Sequence, residues 1–393
     1  MKEHELAAVH FARWIFLAGL SLAATFSTQA RDDGKYFVYI GTYTEHGSKG
    51  IYVCEFDAAT GRLGTPEVAA ETLQPSFLAI TPDRKFMYAV NESNQFNGQA
   101  AGGVSAFAID STTGKLKMLN QVSSRGSGPA HIVLDRTNRY ALVANYDGGS
   151  VAVFHLLPDG KIGESTGFAQ HHGAGPNKER QKTPHAHAIA MSPDNRFALV
   201  ADLGIDEVLV YPFDASRGTL GEARVTKMEA GAGPRHLIFS ASGKLLYLIN
   251  ELSSTITVYS YEARDGGLTP VQTVSTLPNG FKGFSTAAEV ALHPSGKFLY
   301  ASNRDDDNSI AVFAVDPAKG TLTLIENAPS LGQRPRNFAI DPGGDWLIVA
   351  HQDSDTVVTF RIDKNSGRLS PGGQSLAISS PAMVDFMARG GTR

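Results

Sequence analysis

Phe77-Leu78-Ala79-Ile80-Thr81-Pro82-Asp83-Arg84-Lys85-Phe86-Met87-Tyr88-Ala89-Val90-Asn91 reads as two short apolar runs, a Pro-Asp turn between them, and an asparagine closing the second. The same unit recurs along the chain. Its turn position falls at Pro82, Arg136, Pro193, Ala241, Pro294 and Pro342, and nine residues after each lie Asn91, Asn145, Asp202, Asn250, Asn303 and His351. A polar loop leads to a third run, such as Val151-Ala152-Val153-Phe154 or Ile310-Ala311-Val312-Phe313. A turn glycine then opens a fourth, at Gly61, Gly114, Gly160, Gly218, Gly267, Gly320 and Gly367. Short runs rich in β-branched and aromatic residues, bounded by Gly, Pro, Asn and Asp, are strands. Four such strands in a repeat of roughly fifty residues predict a propeller blade, and the seven turn glycines predict seven blades.

The two ends of the chain complete the count. Residues 36–42 match a second strand and residues 381–386 match a first strand. One blade is therefore expected to be built from both termini, which closes the ring and leaves no free edge between first and last blades. The fold expected is all-β, a seven-bladed β-propeller over residues 31–393 as one domain. Two packed β-sandwiches are the competing arrangement.

The first thirty residues differ from the rest. Lys2 and Arg13 precede an uncharged, mostly apolar run over 14–24, and Ser27-Thr28-Gln29-Ala30 is small and polar. This is the order of a secretory signal, with cleavage expected after Ala30 and a periplasmic or secreted mature protein. The apolar run is shorter than the ~20 residues that span a bilayer, so no membrane association is expected once the leader is removed. The single cysteine, Cys54, excludes an intrachain disulfide and shares a strand face with Tyr52 and Phe56, as a small core side chain does. A formal net charge of -4 gives no electrostatic reason to expect a nucleic-acid partner. The chain is expected to act as a monomer.

In a propeller blade the first strand lines the channel and the second returns antiparallel, so the start of one and the end of the other share a mouth. Six residues before the turn lie Ser76, Ala130, His187, Arg235, Ala288 and Arg336; five before it lie Phe77, His131, Ala188, His236, Glu289 and Asn337. Ten after it lie Glu92, Tyr146, Leu203, Glu251, Arg304 and Gln352. What recurs in every blade is read as structural, and the asparagine ring is expected to tie down the loop after strand two. What breaks the repeat is the better functional candidate: His187, Arg235, Glu251 and Arg304. A histidine, two arginines and a carboxylate facing one polar channel can bind an anion, polarise a carbonyl and move a proton. The competing reading, solvated loop charges, weighs most on Glu92, Glu289, Arg336 and His351. His171, His172, His185 and His187 have metal-ligand chemistry, but no cysteine or tight carboxylate set accompanies them. No metal and no other cofactor is expected.

Gly175-Pro176-Asn177, Arg180-Gln181 and Pro184-His185-Ala186-His187 resemble the hallmark loop of the lactonase-type seven-bladed propellers. That family includes bacterial propeller-type 6-phosphogluconolactonases and fungal carboxymuconate-lactonizing enzymes. Gly41-Thr42-Tyr43, Gly233-Pro234-Arg235-His236, Asn250-Glu251 and Ser302-Asn303-Arg304 extend the likeness over 36–386. The resemblance implies a small-molecule lactone substrate and an active-site set of His187, Arg235, Glu251 and Arg304. Around them His185, Asn145, Asp202, His236, Asn303, Glu289 and Arg336 are candidate substrate-binding residues.

The reaction expected is hydrolysis of a sugar lactone. Arg235 and Arg304 would hold the substrate's anionic group or the developing oxyanion, and His187 and Glu251 would share acid–base work, the choice of base being open. No Gly-x-Ser-x-Gly motif is present, which favours direct water attack over an acyl-enzyme. A cycloisomerase using the same four residues and a secreted binding propeller without turnover stay open, since fold alone does not separate them. Export sits poorly with a phosphorylated substrate, because sugar-phosphate metabolism is cytosolic.

Overall fold

The computed structural model describes residues 34–389; the leader expected over residues 1–30 lies outside them. Every regular element among the described residues is a strand, and the strands form seven antiparallel sheets. We number the sheets as blades along the chain. Blade 1 places Pro381–Ala388 innermost, then Lys35–Thr42 and Gly50–Asp57, with Arg62–Leu63 and Glu67–Glu71 outermost. Blade 2 runs outward from Leu78–Ile80 through Phe86–Asn91 and Gly103–Ile109 to Leu116–Ser123. Blades 3 to 7 repeat this order from innermost strands Pro129–Leu134, Ala186–Met191, Pro234–Phe239, Ala287–Leu292 and Pro335–Ile340. The innermost strands of neighbouring blades touch all the way round, so the sheets form a closed ring. Closure is covalently discontinuous: the register from Tyr36 opposite Ala388 to Thr42 opposite Pro381 joins the two ends of the chain.

The core lies between blades. Seven apolar clusters are present, each drawn from two adjoining blades. Strand alternation explains this: in blade 2, Met87 and Ala89 face blade 1, whereas Tyr88 and Val90 face blade 3. A strand covered on both faces must be apolar at every position, which is why the second runs of the repeat are continuous and not alternating. Cys54 lies in the cluster between blades 1 and 7 with Phe56 and Trp346, and burial pushes its thiol up to about 12. The turn glycines have a matching role. Gly114 adopts φ +71°, and its carbonyl accepts the buried Tyr39 hydroxyl of the preceding blade at 2.8 Å. Gly320 and Gly367 receive Tyr247 and Tyr300 in the same way. In blade 5 the left-handed residue is Gly266, one position before the glycine that the repeat marks.

One irregularity positions the site. In six blades the pairing of the innermost with the second strand slips near its channel-mouth end, leaving Ala382, Ala130, His187, Arg235, Ala288 with Glu289, and Arg336 without a paired partner. A bulge of this kind bends the strand and re-aims the extra side chain. Apart from Ser76 in blade 2, the ring of residues six before the turn is therefore a ring of bulges around one mouth.

Candidate active site

The mouth holds a cleft of about 200 Å³ lined by Tyr43, Glu92, Ala130, Tyr146, Arg180, His187, Glu251, Arg304, Arg334 and Arg336. Each blade contributes at least one of these side chains, and Arg180 comes from the long loop between blades 3 and 4. Of the small residues on the same ring, Ala130 lines the cleft and leaves its side of the space open.

Glu251 organises one wall. Its Oε1 accepts Arg180 Nη2 at 2.6 Å, and its Oε2 lies 3.0 Å from both Arg235 Nε and Arg304 Nη2. Burial alone would raise this carboxyl; the guanidinium groups of Arg304, Arg235 and Arg180 outweigh it and hold Glu251 well below the usual carboxylate range. Arg235 is 2% exposed and also donates through Nη1 to the carbonyl of Ala288 at 2.6 Å, a carbonyl that the bulge leaves free. Its burial, together with the charges of Arg304 and Arg336, pulls it down to about 9. Arg304 donates to the carbonyls of Thr286 and Ala287. These bonds fix Arg235 and Arg304 in place, and Arg235 stands behind the cleft and not on its surface. Arg336 differs: its guanidinium lies 5.1 Å over the Tyr43 ring, and no described residue accepts a hydrogen bond from it.

His187 completes this wall. Its Nε2 is 3.9 Å from Glu251 Oε2, its Nδ1 is buried without a partner, and its ring meets Tyr146 and His236 edge to face. Burial first, then the charges of Arg235, His236, Arg336 and Arg304, hold it well below the ordinary imidazole value. It is therefore neutral at physiological pH and able to accept a proton. Glu251, by contrast, is an anion that three guanidinium groups hold in place.

The other candidates fall in three places. His236 and Glu289 lie one layer deeper in the channel: Nδ1 of His236 is 3.1 Å from the Glu289 carboxylate, which Asn337 also hydrogen-bonds. His185 stands beside the cleft, stacked on Tyr146 at 4.4 Å. Asn145, Asp202 and Asn303 do not line the cleft at all. Asn145 donates to the carbonyl of Ser124 and to Ser150, and Asn303 to the carbonyl of Thr276 and to Ser309. These bonds tie strand two to the crossover from the preceding blade as well as to the loop that follows it. Asp202 accepts the backbone N–H of His185 at 2.7 Å and faces His171 Nδ1 at 2.6 Å, clamping both ends of the long loop. His172 is exposed, and no three metal-ligating side chains converge among the described residues.

Reasoning from the repeat overlooked Arg180, Tyr43 and Arg334 as members of the site. Arg180 is set by its loop: Asn177 Oδ1 accepts its backbone N–H at 3.1 Å, while the neighbouring Gln181 is buried against Leu203 and Asp206. An insertion between two blades that are otherwise closely connected was the available signal. Arg334 precedes an innermost strand with φ +58° and leans on Asp305 at 3.3 Å; nothing in the repeat marks it.

Fold and site together define a β-propeller with a small, strongly cationic pocket at one mouth of its channel. Over residues 37–386 the chain matches the family model described as lactonase, 7-bladed beta-propeller, and it belongs to that family. It is 34% identical to a 6-phosphogluconolactonase of Bacillus subtilis over 353 residues, covering 90% of this chain and 99% of the relative. A 6-phosphogluconolactonase of Formosa agariphila is also 34% identical, over 89% of this chain and 99% of its own. Among solved structures, the periplasmic gluconolactonase of Pseudomonas aeruginosa superposes with a TM-score of 0.86 at 36% identity, covering 91% of this chain and 100% of that one.

Proposed function

We propose that this chain hydrolyses a sugar lactone by direct attack of water at the ring carbonyl. The observation that carries the reading is a neutral, buried imidazole beside a carboxylate that three guanidinium groups keep ionised. His187 takes the proton from the attacking water, and the imidazolium so formed is stabilised by the nearby charge of Glu251. The oxyanion that develops on the carbonyl is met by Arg304 and by the unengaged fork of Arg336. His187 then returns its proton to the ring oxygen as the C–O bond breaks, giving the open hydroxy acid. Glu251 positions the arginines and takes no proton itself, and Arg235 buttresses Glu251 from behind.

The names of the relatives, two 6-phosphogluconolactonases and one periplasmic gluconolactonase, support hydrolysis over lactone formation. The periplasmic relative and the leader-like residues 1–30 together support an exported enzyme acting outside the cytoplasm. The test is pH-stat titration of purified protein with δ-gluconolactone and its 6-phosphate. Turnover of either above the spontaneous rate is expected; no turnover of any lactone in a wider panel overturns the reading.

A further inference from the structure

The cleft has a second carboxylate on its opposite wall. Glu92 belongs to blade 2 and Glu251 to blade 5, as far apart as a ring of seven permits. The two are held in contrasting ways. Both oxygens of Glu251 are taken by guanidinium groups. Glu92 has no ion pair within bonding distance; its Oε2 accepts the hydroxyls of Tyr43, at 2.8 Å, and Ser76, and no described residue bonds its Oε1. Two donors on one oxygen orient the carboxylate and leave the other oxygen as an unused acceptor at the cleft wall.

We infer that Glu92 recognises hydroxyl groups at the end of the substrate remote from the reacting carbonyl, and that it selects an uncharged polyhydroxylated lactone over one carrying a phosphate there. The inference rests on the lactonase reading above and names the substrate class of that site. An ionised carboxylate oxygen is a strong acceptor for a sugar hydroxyl, and it repels a phosphate at the same distance. A phosphate subsite calls for free guanidinium forks. Among the cleft arginines, Arg180 and Arg304 pair with Glu251 and Arg334 leans on Asp305; Arg336 alone is unengaged, and it lies within electrostatic reach of both Glu92 and Glu251, so a single fork and not a pair faces a group held between the walls. With that fork turned to the developing oxyanion, as the hydrolytic reading has it, the Glu92 wall is left to the polyol tail.

The experiment compares wild type with Glu92→Gln on δ-gluconolactone and on its 6-phosphate, with calorimetric binding of the unreactive, uncharged δ-gluconolactam as a readout independent of turnover. Wild type is expected to prefer the uncharged lactone. The substitution, which keeps size, is expected to raise KM for that lactone and to weaken the lactam ~10-fold, while lowering KM for the phosphorylated one. Tyr43→Phe, which removes one donor from Oε2 and leaves the charge, is expected to weaken lactam binding less and to leave the preference in place. Equal changes for both lactones, unchanged lactam binding, or a wild-type preference for the phosphate overturns the inference. Absence of all lactone turnover with lactam binding still dependent on Glu92 would count against the hydrolase reading alone.

Discussion

His187 Nε2 faces Glu251 Oε2 across 3.9 Å, beyond hydrogen-bond length and well inside the reach of their charges. The neutral imidazole can move a proton while the carboxylate beside it stays ionised. His187→Asn is expected to lower kcat by ~10²–10⁴, the range of a positioned acid–base group, and to leave the melting temperature nearly unchanged. Steady-state kinetics with a thermal melt on the same preparation checks both halves.

Glu251→Gln should behave differently. It leaves three guanidinium groups facing an uncharged amide, two of them 2% exposed. Removing one partner of a buried ion cluster costs about 3–5 kcal/mol, so this variant is expected to lose stability as well as activity. Urea unfolding measures the loss. A fully stable but inactive Glu251→Gln would instead assign proton transfer to Glu251.

The pH profile follows from the same groups. His187 is depressed below 6.5, so its neutral, active form predominates from below pH 6.5 upward, and activity falls only as acid protonates it. Arg235 is lowered by burial but keeps its proton against the ionised Glu251 at 3.0 Å, so no alkaline limb is expected from the buttress. After subtraction of spontaneous hydrolysis, kcat/KM should be level from about pH 6.5 to 8 and decline on the acid side alone. A midpoint near pH 7 on the acid limb would remove His187 from the role of base.

Ring closure depends on one strand. Pro381–Ala388 supplies the innermost strand of blade 1 and contacts the innermost strands of blades 2 and 7. Truncation from Ser379 onward opens the ring and exposes the edge of Lys35–Thr42. Aggregation or a drop of many degrees in melting temperature is expected, read by light scattering and calorimetry. A truncated protein that melts like the intact one would show that the remaining blades hold the ring without it.

Much of this architecture is determined by the amino-acid sequence alone. Strand length, turn chemistry and the polar residue closing each second run are local properties, and they recur from Pro82 to Pro342 often enough to count the blades. Ring symmetry then converts spacing into position, so His187, Arg235, Glu251 and Arg304, far apart in the chain, fall at one mouth. Tertiary structure alone decides what equal spacing does not express. Asn145, Asp202 and Asn303 occupy the same register as a mouth residue, yet their side chains turn into the crossovers. Arg180 enters from an inserted loop outside the repeat, and Tyr43 and Glu92 meet from different blades. Whether a carboxylate is a fixed anion, as at Glu251, or a hydroxyl-bonded acceptor, as at Glu92, depends on which cations lie within a few ångströms. That distance is set by how neighbouring blades pack and by where each innermost strand bulges, and both arise between elements distant in sequence.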